Sequence, residues 1–270
     1  MSALLTRVFR GQAPVAAPDP HDRGLAYGDG LFETMRASSG RLPWWRQHAA
    51  RLARGAAVLG IPMPDRDWLD AQLAQVLVQA PEQAVLKLVL TRGVGGRGYA
   101  PPANPEPGMV LSVHGMPAAT GPLRLRWCHA RLSLQPALAG IKHLNRLDQV
   151  LARAEWTDPG IGEGLMLDAH GHVGCATSAN VFALIDGRWC TPSLAAGGVA
   201  GLARDWVLAN QAQAAAIEMT PAMLASAQAL FLCNAVRGIL PVGQLDDLHW
   251  PPHPATERLR RDLDRELSAA

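Results

Sequence analysis

The sequence predicts an α/β (α+β) protein built from two unequal halves, and three patterns indicate it. Apolar residues recur at helical spacing over residues 44–60 and 64–80, which favours two amphipathic helices. Alternating runs with β-branched residues at 84–92 and 107–115 then predict two strands. A second series of strand and helix patterns follows, so each half has its own regular structure.

A soft stretch, "GMPAATGPLR" (residues 115–124), marks the expected boundary between the halves. We predict a smaller N-terminal α/β domain over residues 1–116, a linker over 117–122 and a larger C-terminal domain over 123–270. A chain of 270 residues, of which 49% are hydrophobic, is long enough to form both domains.

The second half carries its own elements in a clear order. The patterns predict a strand over 123–134, a helix over 144–156, a series of strands over 163–192, a helix over 199–214, a strand and turn over 227–242 and an amphipathic helix over 256–267. Turns are expected at His170–Gly171 and Asp186–Gly187, because glycine accepts the left-handed conformations that tight turns need.

Composition argues against several classes of function. The net charge is only +2 and the arginines are interspersed with acidic and apolar residues, so the basic stripe that a nucleic-acid backbone requires is missing. Arginines at positions 7 and 10 interrupt the N-terminal stretch, which argues against a signal peptide or a membrane span. The four cysteines form no C-x-x-C pair, so we expect reduced thiols, no structural zinc and a cytoplasmic protein.

Lysine is rare in this chain, because only Lys87 and Lys142 accompany 23 arginines. Lys87 lies within an alternating strand, where a long side chain on the polar face is ordinary. Lys142 precedes a helical pattern in which Leu144, Leu147, Val150, Leu151 and Ala154 mark one face, with Asn145 and Asp148 resembling an N-terminal capping pair. A helix start disfavours a cation and favours a neutral nucleophilic amine, so Lys142 is the candidate for covalent chemistry.

Two further motifs are weaker indications of ligand binding. Gly93, Gly95 and Gly98 have the G-x-G-x-x-G spacing of a dinucleotide site, but "APPANPEP" follows where that site needs a helix. As a flexible loop this segment suits a lid. His170 and His172 flank a glycine without a third ligand nearby, so we interpret them as exposed polar residues.

Five segments in order along the chain resemble one known family. They are "DRGLAYGDGLFETMR" (22–36), "RGVGGRGY" (92–99), "LAGIKHLNRLDQVLARAE" (138–155), "ANVF" (179–182) and "CNAVRGILPV" (233–242). Together they resemble the fold type IV pyridoxal-phosphate enzymes. Within that group the segments "RGVGGRGY" and "GIKHLNRL" are most similar to the aminodeoxychorismate lyases.

The resemblance implies a two-domain subunit, usually a homodimer, with pyridoxal 5'-phosphate bound in the cleft between domains. Lys142 matches the lysine that forms a Schiff base with the cofactor. Arg51 matches the arginine that pairs with the cofactor phosphate, although helical spacing alone would place it on an exposed helix edge. Gly201, Leu202 and Ala203 match the helix start that binds the same phosphate, and Asn234 and Ala235 match a second turn near it.

One position departs from the pattern of this family. Its members normally carry a glutamate five residues before the asparagine of the "ANVF" segment, where the carboxylate keeps the pyridine nitrogen protonated. Cys175 occupies that position, and the residues from Gly171 to Asn180 include no carboxylate. A thiol supports electron withdrawal less firmly, which weighs more against transamination than against loss of pyruvate, because formation of the aromatic product helps to drive the latter.

The activity implied by the resemblance is conversion of 4-amino-4-deoxychorismate to 4-aminobenzoate and pyruvate, a step toward folate. Arg97 is the expected partner of a substrate carboxylate, Tyr27 and Glu33 are expected to line the substrate pocket, and Asp29 is expected to serve as a turn residue. Two alternatives remain: an aminotransferase of the same fold for branched-chain or D-amino acids, and a homologue with impaired catalysis because of Cys175.

Overall fold

Two units make up the fold in a computed structural model that describes residues 3–119 and 121–268 of the chain. The first unit contains the chain as far as Pro117 together with Ile141–Asn145, and the second contains Ala118–Gly140 and Arg146–Leu267. Each unit has its own β-sheet and its own apolar core. In the described part of the chain no helix is both long and apolar enough to cross a membrane.

The first unit is an antiparallel sheet with strand order β2-β1-β5-β4-β3. Its elements are β1 (Leu5–Arg10), β2 (Ala13–Val15), α1 (Arg23–Tyr27), β3 (Gly30–Ser38), α2 (Trp45–Leu59), α3 (Arg66–Leu77), β4 (Gln83–Thr91) and β5 (Gly108–Gly115). Leu86, Leu88 and Leu90 of β4 are fully buried whereas Lys87 is exposed, as the alternation predicted. The two helices and two strands predicted before residue 116 are therefore confirmed.

A short segment from the second half of the sequence pairs with the edge strand of this sheet. The Phe32 N–H donates to the Lys142 carbonyl at 3.0 Å, and the Leu144 N–H donates to the Gly30 carbonyl at 2.9 Å. Because these backbone hydrogen bonds join residues 141–145 to β3, Lys142 belongs to the first unit. The predicted division, which gave Lys142 to the C-terminal domain, is wrong at this point.

The second unit is a mixed sheet with the order β11-β10-β9-β12-β13-β6-β7-β8, and β14 pairs with β13. Its elements are β6 (Leu123–Trp127), α4 (Leu147–Arg153), β7 (Glu163–Leu167), β8 (Val173–Ala176), β9 (Asn180–Ile185), β10 (Arg188–Pro192), α5 (Leu202–Asn210), β11 (Ala215–Ile217), α6 (Pro221–Ala225), β12 (Ala229–Asn234), β13 (Gly238–Leu245), β14 (Leu248–His249) and α7 (Pro254–Ser268). Asp186 and Gly187 have φ angles of 48° and 75°, which confirms the turn predicted there.

Three elements of the second unit are shorter than the sequence predicted, and one of them is α5, which spans Leu202–Asn210 instead of 199–214. β6 ends at Trp127 instead of continuing to residue 134, because the Glu155 carboxylate accepts the N–H groups of His129 and Ala130 and turns the chain away. α4 spans Leu147–Arg153 instead of 144–156.

The predicted cap of α4 is also wrong. Asn145 does not cap the helix, because its side-chain amide donates to the Gly28 carbonyl of the first unit at 3.1 Å. Asp148 accepts hydrogen bonds from the backbone N–H and the hydroxyl of Ser133. Arg146 is the residue at the start of the helix, and its side chain makes no capping bond.

A buried ion cluster joins β3 to α2 in the first unit. Glu33 on β3 is 1% exposed and accepts hydrogen bonds from Arg51 and His48 of α2, with 2.9 Å from Arg51 Nε to Oε1 and 2.7 Å from His48 Nδ1 to Oε2. Burial raises the pKa of Glu33, but the hydrogen bonds and charges of Arg51 and His48 outweigh it and lower the pKa to about 2. Burial lowers the pKa of His48, and the opposing effect of Glu33 does not restore it.

This cluster predicts how stability depends on pH. The Glu33 carboxylate has a lower pKa in the folded state, so its stabilising effect is present above about pH 4.5 and is lost as the pH falls toward about 2. Between about pH 5 and about pH 3 the wild type should lose roughly 2 kcal/mol more of its free energy of unfolding than a Glu33→Gln variant. Urea unfolding midpoints at the two pH values measure the difference.

Glu106→Gln is the matched control for this experiment. Glu106 also pairs with an arginine, Arg10, but both side chains are more than half exposed. Its removal should leave the pH dependence unchanged. Equal pH slopes for the wild type and Glu33→Gln would show that the cluster does not hold Glu33 in its ionised form.

Candidate active site

Lys142 lies on the backbone segment that pairs with β3, and its amine is directed at an aromatic ring. Lys142 Nζ is 4.1 Å from the centre of the Phe32 ring, and Lys142 is partly buried. Lys87 Nζ is 5.5 Å from the centre of the same ring, but Lys87 is exposed. An ammonium group over a phenyl face is stabilised by the negative electrostatic potential of that face. Phe32 is therefore a neighbour of the candidate amine that the sequence reasoning missed.

The helix-end argument for Lys142 is wrong in its physical cause. The influence of a helix terminus falls off within about one turn, and α4 begins at Leu147, five residues after Lys142. The charge environment of Lys142 comes instead from α2. Burial lowers the pKa of His48, and the charges of Arg51 and Lys142 lower it further, so both cations lie near His48.

Arg51 is buried, in contrast to the exposed helix edge that the spacing alone predicted. It is 6% exposed, and its Nε and Nη2 atoms donate to the Glu33 carboxylate. Both oxygens of Glu33 are therefore engaged by α2 residues. The sequence predicted that Glu33 lines a substrate pocket. The Glu33 side chain is buried instead, and its carboxylate orients Arg51 and His48. His48 was missed, although it lies three residues before Arg51 on the same helix face.

Tyr27 and Arg97 lie in the same region of the first unit. Tyr27 is 38% exposed, and its ring centre is 5.4 Å from that of Tyr99. Arg97 is exposed on the loop that carries the three spaced glycines. The backbone of this loop is held by Arg23, whose guanidinium donates to the carbonyls of residues 98, 99 and 100. In the conformation described, Arg23 therefore holds the backbone of the loop that the sequence suggested as a lid.

The second unit contains the helix start that the sequence singled out. Gly201 precedes α5 without a side-chain cap, and the first N–H groups of α5, including those of Leu202 and Ala203, have no partners within the helix. A Cβ atom on Gly201 would lie 2.0 Å from Asn180 Oδ1, so no larger residue fits there. Asn180 is buried and donates to the Val199 carbonyl at 3.0 Å, which holds the turn before α5. This helix start can bind an anion.

Asn234 and Ala235 form the turn between β12 and β13. Asn234 Oδ1 accepts the N–H groups of Val236 and Arg237 at 3.0 and 2.8 Å, and its side-chain amide donates to the Ser178 carbonyl at 3.4 Å. Ala235 is 9% exposed. The side chain of Asn234 therefore shapes the turn, and any contact with a phosphate belongs to the backbone of this turn.

Cys175 lies on β8 opposite Met166 of β7, and it packs in an apolar cluster with Cys128 and Trp156. Burial raises the pKa of the Cys175 thiol to about 12, with the Arg146 charge acting in the opposite direction. A thiol with so high a pKa is neutral at pH 7.

Glu163 is a carboxylate near Cys175, but it lies on the neighbouring strand β7 and therefore outside residues 171–180, which include no carboxylate. The side chain is 7% exposed and accepts hydrogen bonds from the hydroxyls of Thr177 and Ser178. Its charge also contributes to raising the pKa of the Cys175 thiol, after burial. The charged groups that act on Cys175 are therefore one cation, Arg146, and two carboxylates, Glu163 and Asp148.

Several known proteins are similar to this chain over most of its length. The Vibrio harveyi aminodeoxychorismate lyase is 34% identical over 257 residues, which cover 90% of this chain and 94% of that protein. The solved structure of the Pseudomonas aeruginosa 4-amino-4-deoxychorismate lyase is 42% identical, with a TM-score of 0.91 over 98% of this chain and 100% of that one. A Methanocaldococcus jannaschii protein, named provisionally as a branched-chain-amino-acid aminotransferase, is 32% identical over 83% of this chain and 81% of its own length.

The family model described as Amino-transferase class IV matches residues 30–245. This range begins at the first residue of β3, which pairs with the Lys142 segment, and ends at the last residue of β13. It therefore includes Lys142, Arg51, Cys175 and the start of α5. Because the match extends over most of both units, the chain belongs to the amino-transferase class IV family.

Proposed function

We propose that this protein is a pyridoxal-phosphate-dependent lyase that converts 4-amino-4-deoxychorismate to 4-aminobenzoate and pyruvate. The observation that carries the proposal is the 42% identity to the Pseudomonas aeruginosa lyase over 98% of this chain. The rarity of lysine adds to it, since one of only two lysines lies where the resemblance requires the reactive amine. Lys87, the other, is exposed on β4.

The residues present fit the cofactor. Each unit has a group suited to an anion: in the first unit Arg51 has a guanidinium held by Glu33, and in the second unit the start of α5 has backbone N–H groups beside a glycine that has no room for a Cβ atom. Guanidinium groups and helix N-termini are the groups that bind phosphate. Lys142 supplies the amine that bonds to the aldehyde. When bound, the cofactor supplies an electron-withdrawing ring that stabilises negative charge on the substrate.

Lys142 has a second task as the group that moves the proton. With the cofactor bound, its Nζ atom would take the proton from C4 of the substrate ring, the ring carbon–oxygen bond to the enolpyruvyl side chain would break as the ring becomes aromatic, and Nζ would return a proton to the departing enol to give pyruvate. The Phe32 ring below Nζ stabilises the ammonium form that exists between these two transfers. Arg97, exposed on its loop, pairs with a substrate carboxylate, and Tyr27 packs against Tyr99 of the same loop.

The test of this proposal compares the two lysines. Protein reconstituted with pyridoxal 5'-phosphate should release pyruvate from aminodeoxychorismate without an amino acceptor. A coupled lactate dehydrogenase assay measures the pyruvate. Lys142→Ala should lower the rate about 10³-fold or more, because both the covalent link and the proton carrier are lost. Borohydride trapping and peptide mass mapping should locate the cofactor at Lys142.

Lys87→Ala is the control in this assay and should keep both the label and the rate. A label at Lys87, or full activity of Lys142→Ala, would overturn the assignment. Exchange that requires an amino acceptor, with no release of pyruvate in its absence, would instead identify an aminotransferase. That second candidate is favoured by the 32% identity to the Methanocaldococcus jannaschii protein.

Cys175 favours the lyase over the aminotransferase and motivates a separate prediction. A neutral thiol in an apolar cluster supports ring protonation less than a carboxylate does. Cys175→Glu should therefore shift the visible absorption of the bound cofactor and raise transamination relative to pyruvate release by roughly tenfold, equivalent to about 1.4 kcal/mol between the two barriers. Spectra and both rates measured on one preparation test this.

Cys175→Ser keeps the size and neutrality of the side chain and is the matched control. It should retain the wild-type spectrum and the wild-type ratio of the two reactions. If Cys175→Glu changes neither spectrum nor turnover, Cys175 has no influence on the ring. A wild-type protein that binds the cofactor but carries out neither reaction would support the third reading, a homologue with impaired catalysis.

We also propose that the protein is a homodimer in the cytoplasm. Leu147, Val150 and Leu151 of α4 are 73%, 59% and 63% exposed, and Ala154 is exposed beside them. They form the helix face whose periodicity the sequence showed, yet within this chain the face is largely uncovered. A second copy of the chain packed against this apolar face would bury it. The four unpaired, buried cysteines suit a reducing compartment.

A charge on this face should prevent dimerisation. Leu147→Glu combined with Leu151→Glu should reduce the mass found by light scattering from twice the chain mass to the chain mass, because two carboxylates cannot be buried without partners. Val78→Glu is the control, since Val78 is 85% exposed at the end of α3. A dimer that survives the double substitution would exclude α4 as the interface.

A further inference from the structure

Asp29, which the sequence suggested was only a turn residue, lies between two arginines. Asp29 Oδ2 accepts hydrogen bonds from Arg23 Nε at 2.8 Å and Arg92 Nε at 2.7 Å, and Oδ1 accepts one from Arg92 Nη2 at 3.0 Å. The side chains of Asp29, Arg23 and Arg92 are 13%, 5% and 9% exposed. Two buried cations beside each other repel strongly unless an anion separates them, and Asp29 is that anion.

Arg23 uses its remaining donors on the backbone of the loop that carries Arg97. Its Nη1 atom donates to the carbonyls of Gly98 and Ala100 at 3.1 and 3.2 Å, and its Nη2 atom donates to the Tyr99 carbonyl at 2.8 Å. The Arg23 N–H donates to the Gly93 carbonyl at 2.9 Å, at the other end of the loop. One side chain, oriented by Asp29, therefore holds three consecutive carbonyls.

The glycines of this loop are explained by the same contacts. A Cβ atom on Gly95 would lie 2.6 Å from Arg23 Cδ, and one on Gly93 would lie 1.8 Å from the Glu106 carbonyl oxygen. Gly93 also has a φ angle of 83°, which favours glycine. The spacing that resembled a dinucleotide site thus allows the loop to pass close to Arg23 and to the residues before β5.

Arg92 connects Asp29 to the end of α2. Its Nη1 and Nη2 atoms donate to the carbonyls of Gly60 and Leu59 at 2.8 and 2.6 Å. α2 is the helix that carries His48 and Arg51. A single carboxylate therefore links the loop of Arg97 to the helix of Arg51.

We propose that Asp29 is a positioning residue that fixes the loop of residues 93–100 through Arg23, so that Arg97 and Tyr99 are presented to the substrate in one prearranged conformation. Arg97 is exposed and Tyr99 is 85% exposed, although the backbone that carries them is held. A fixed backbone with exposed side chains lowers the entropy lost when a substrate carboxylate binds. The inference rests on the proposed function, because it takes Arg97 as a substrate contact.

Limited proteolysis tests the loop without any substrate. Trypsin cleaves after arginine, and the bond between Arg97 and Gly98 can enter a protease only when Arg23 releases the loop. Trypsin should cut the Asp29→Asn variant at this bond at least about tenfold faster than the wild type. Mass mapping of the fragments over time measures this rate. Cleavage after Arg131, an exposed arginine of the second unit, serves as the internal reference for general unfolding.

Kinetics test the presentation of Arg97. Asp29→Asn should raise KM for aminodeoxychorismate about tenfold while kcat stays within about threefold, because the reacting groups are unchanged and only binding is less well prearranged. Asp67→Asn, a substitution of an exposed aspartate on α3, should match the wild type in both measurements. If Asp29→Asn does not fold, Arg23→Met keeps the side-chain stem, removes the carbonyl contacts and should give the same two results.

The outcomes separate this inference from the proposed function. A cleavage rate at Arg97 within about twofold of the wild type overturns the inference, and so does faster cleavage with an unchanged KM. A wild-type protein that releases no pyruvate overturns the proposed function, while the cleavage data still decide whether Asp29 holds the loop.

Discussion

The pairing of residues 141–145 with the edge of β3 is the constraint on which the candidate chemistry depends. Two backbone hydrogen bonds fix the position of Lys142 beside Phe32. Backbone bonds set the position of an amine more firmly than a flexible side chain could alone, because a lysine stem has four rotatable bonds. The first unit thus takes Lys142, the candidate amine, from the second half of the sequence, which also explains why a boundary drawn along the chain misassigned it.

Carboxylates in the first unit act mainly by orienting arginines. Glu33 directs Arg51 and His48, and Asp29 directs Arg23 and Arg92. In both cases a buried carboxylate accepts hydrogen bonds from two side chains, at least one of them a guanidinium, so the large desolvation penalty is offset by charge-assisted hydrogen bonds. The arginine abundance of this chain has a structural use here, since a planar guanidinium can bind a carboxylate and backbone carbonyls at the same time.

Local patterns predicted what depends on local contacts. The alternation in β4 and the spacing in α2 and α3 follow from the pleat and the helical repeat, and both were read correctly. The cap of α4 was misread because Asn145 bonds to Gly28, 117 residues earlier. The burial of Glu33 could not be foreseen, because its partners lie 15 and 18 residues away on another element. Periodicity identified the apolar face of α4 but could not say what covers it.

The cysteines of this chain have a practical consequence. Burial raises the pKa of all four thiols, and all four side chains are buried. Reagents that alkylate thiolates at neutral pH will therefore find little to react with in the folded wild type. A single cysteine introduced on the surface would be a selective attachment point for a fluorophore or a spin label, with no need to remove the native ones first.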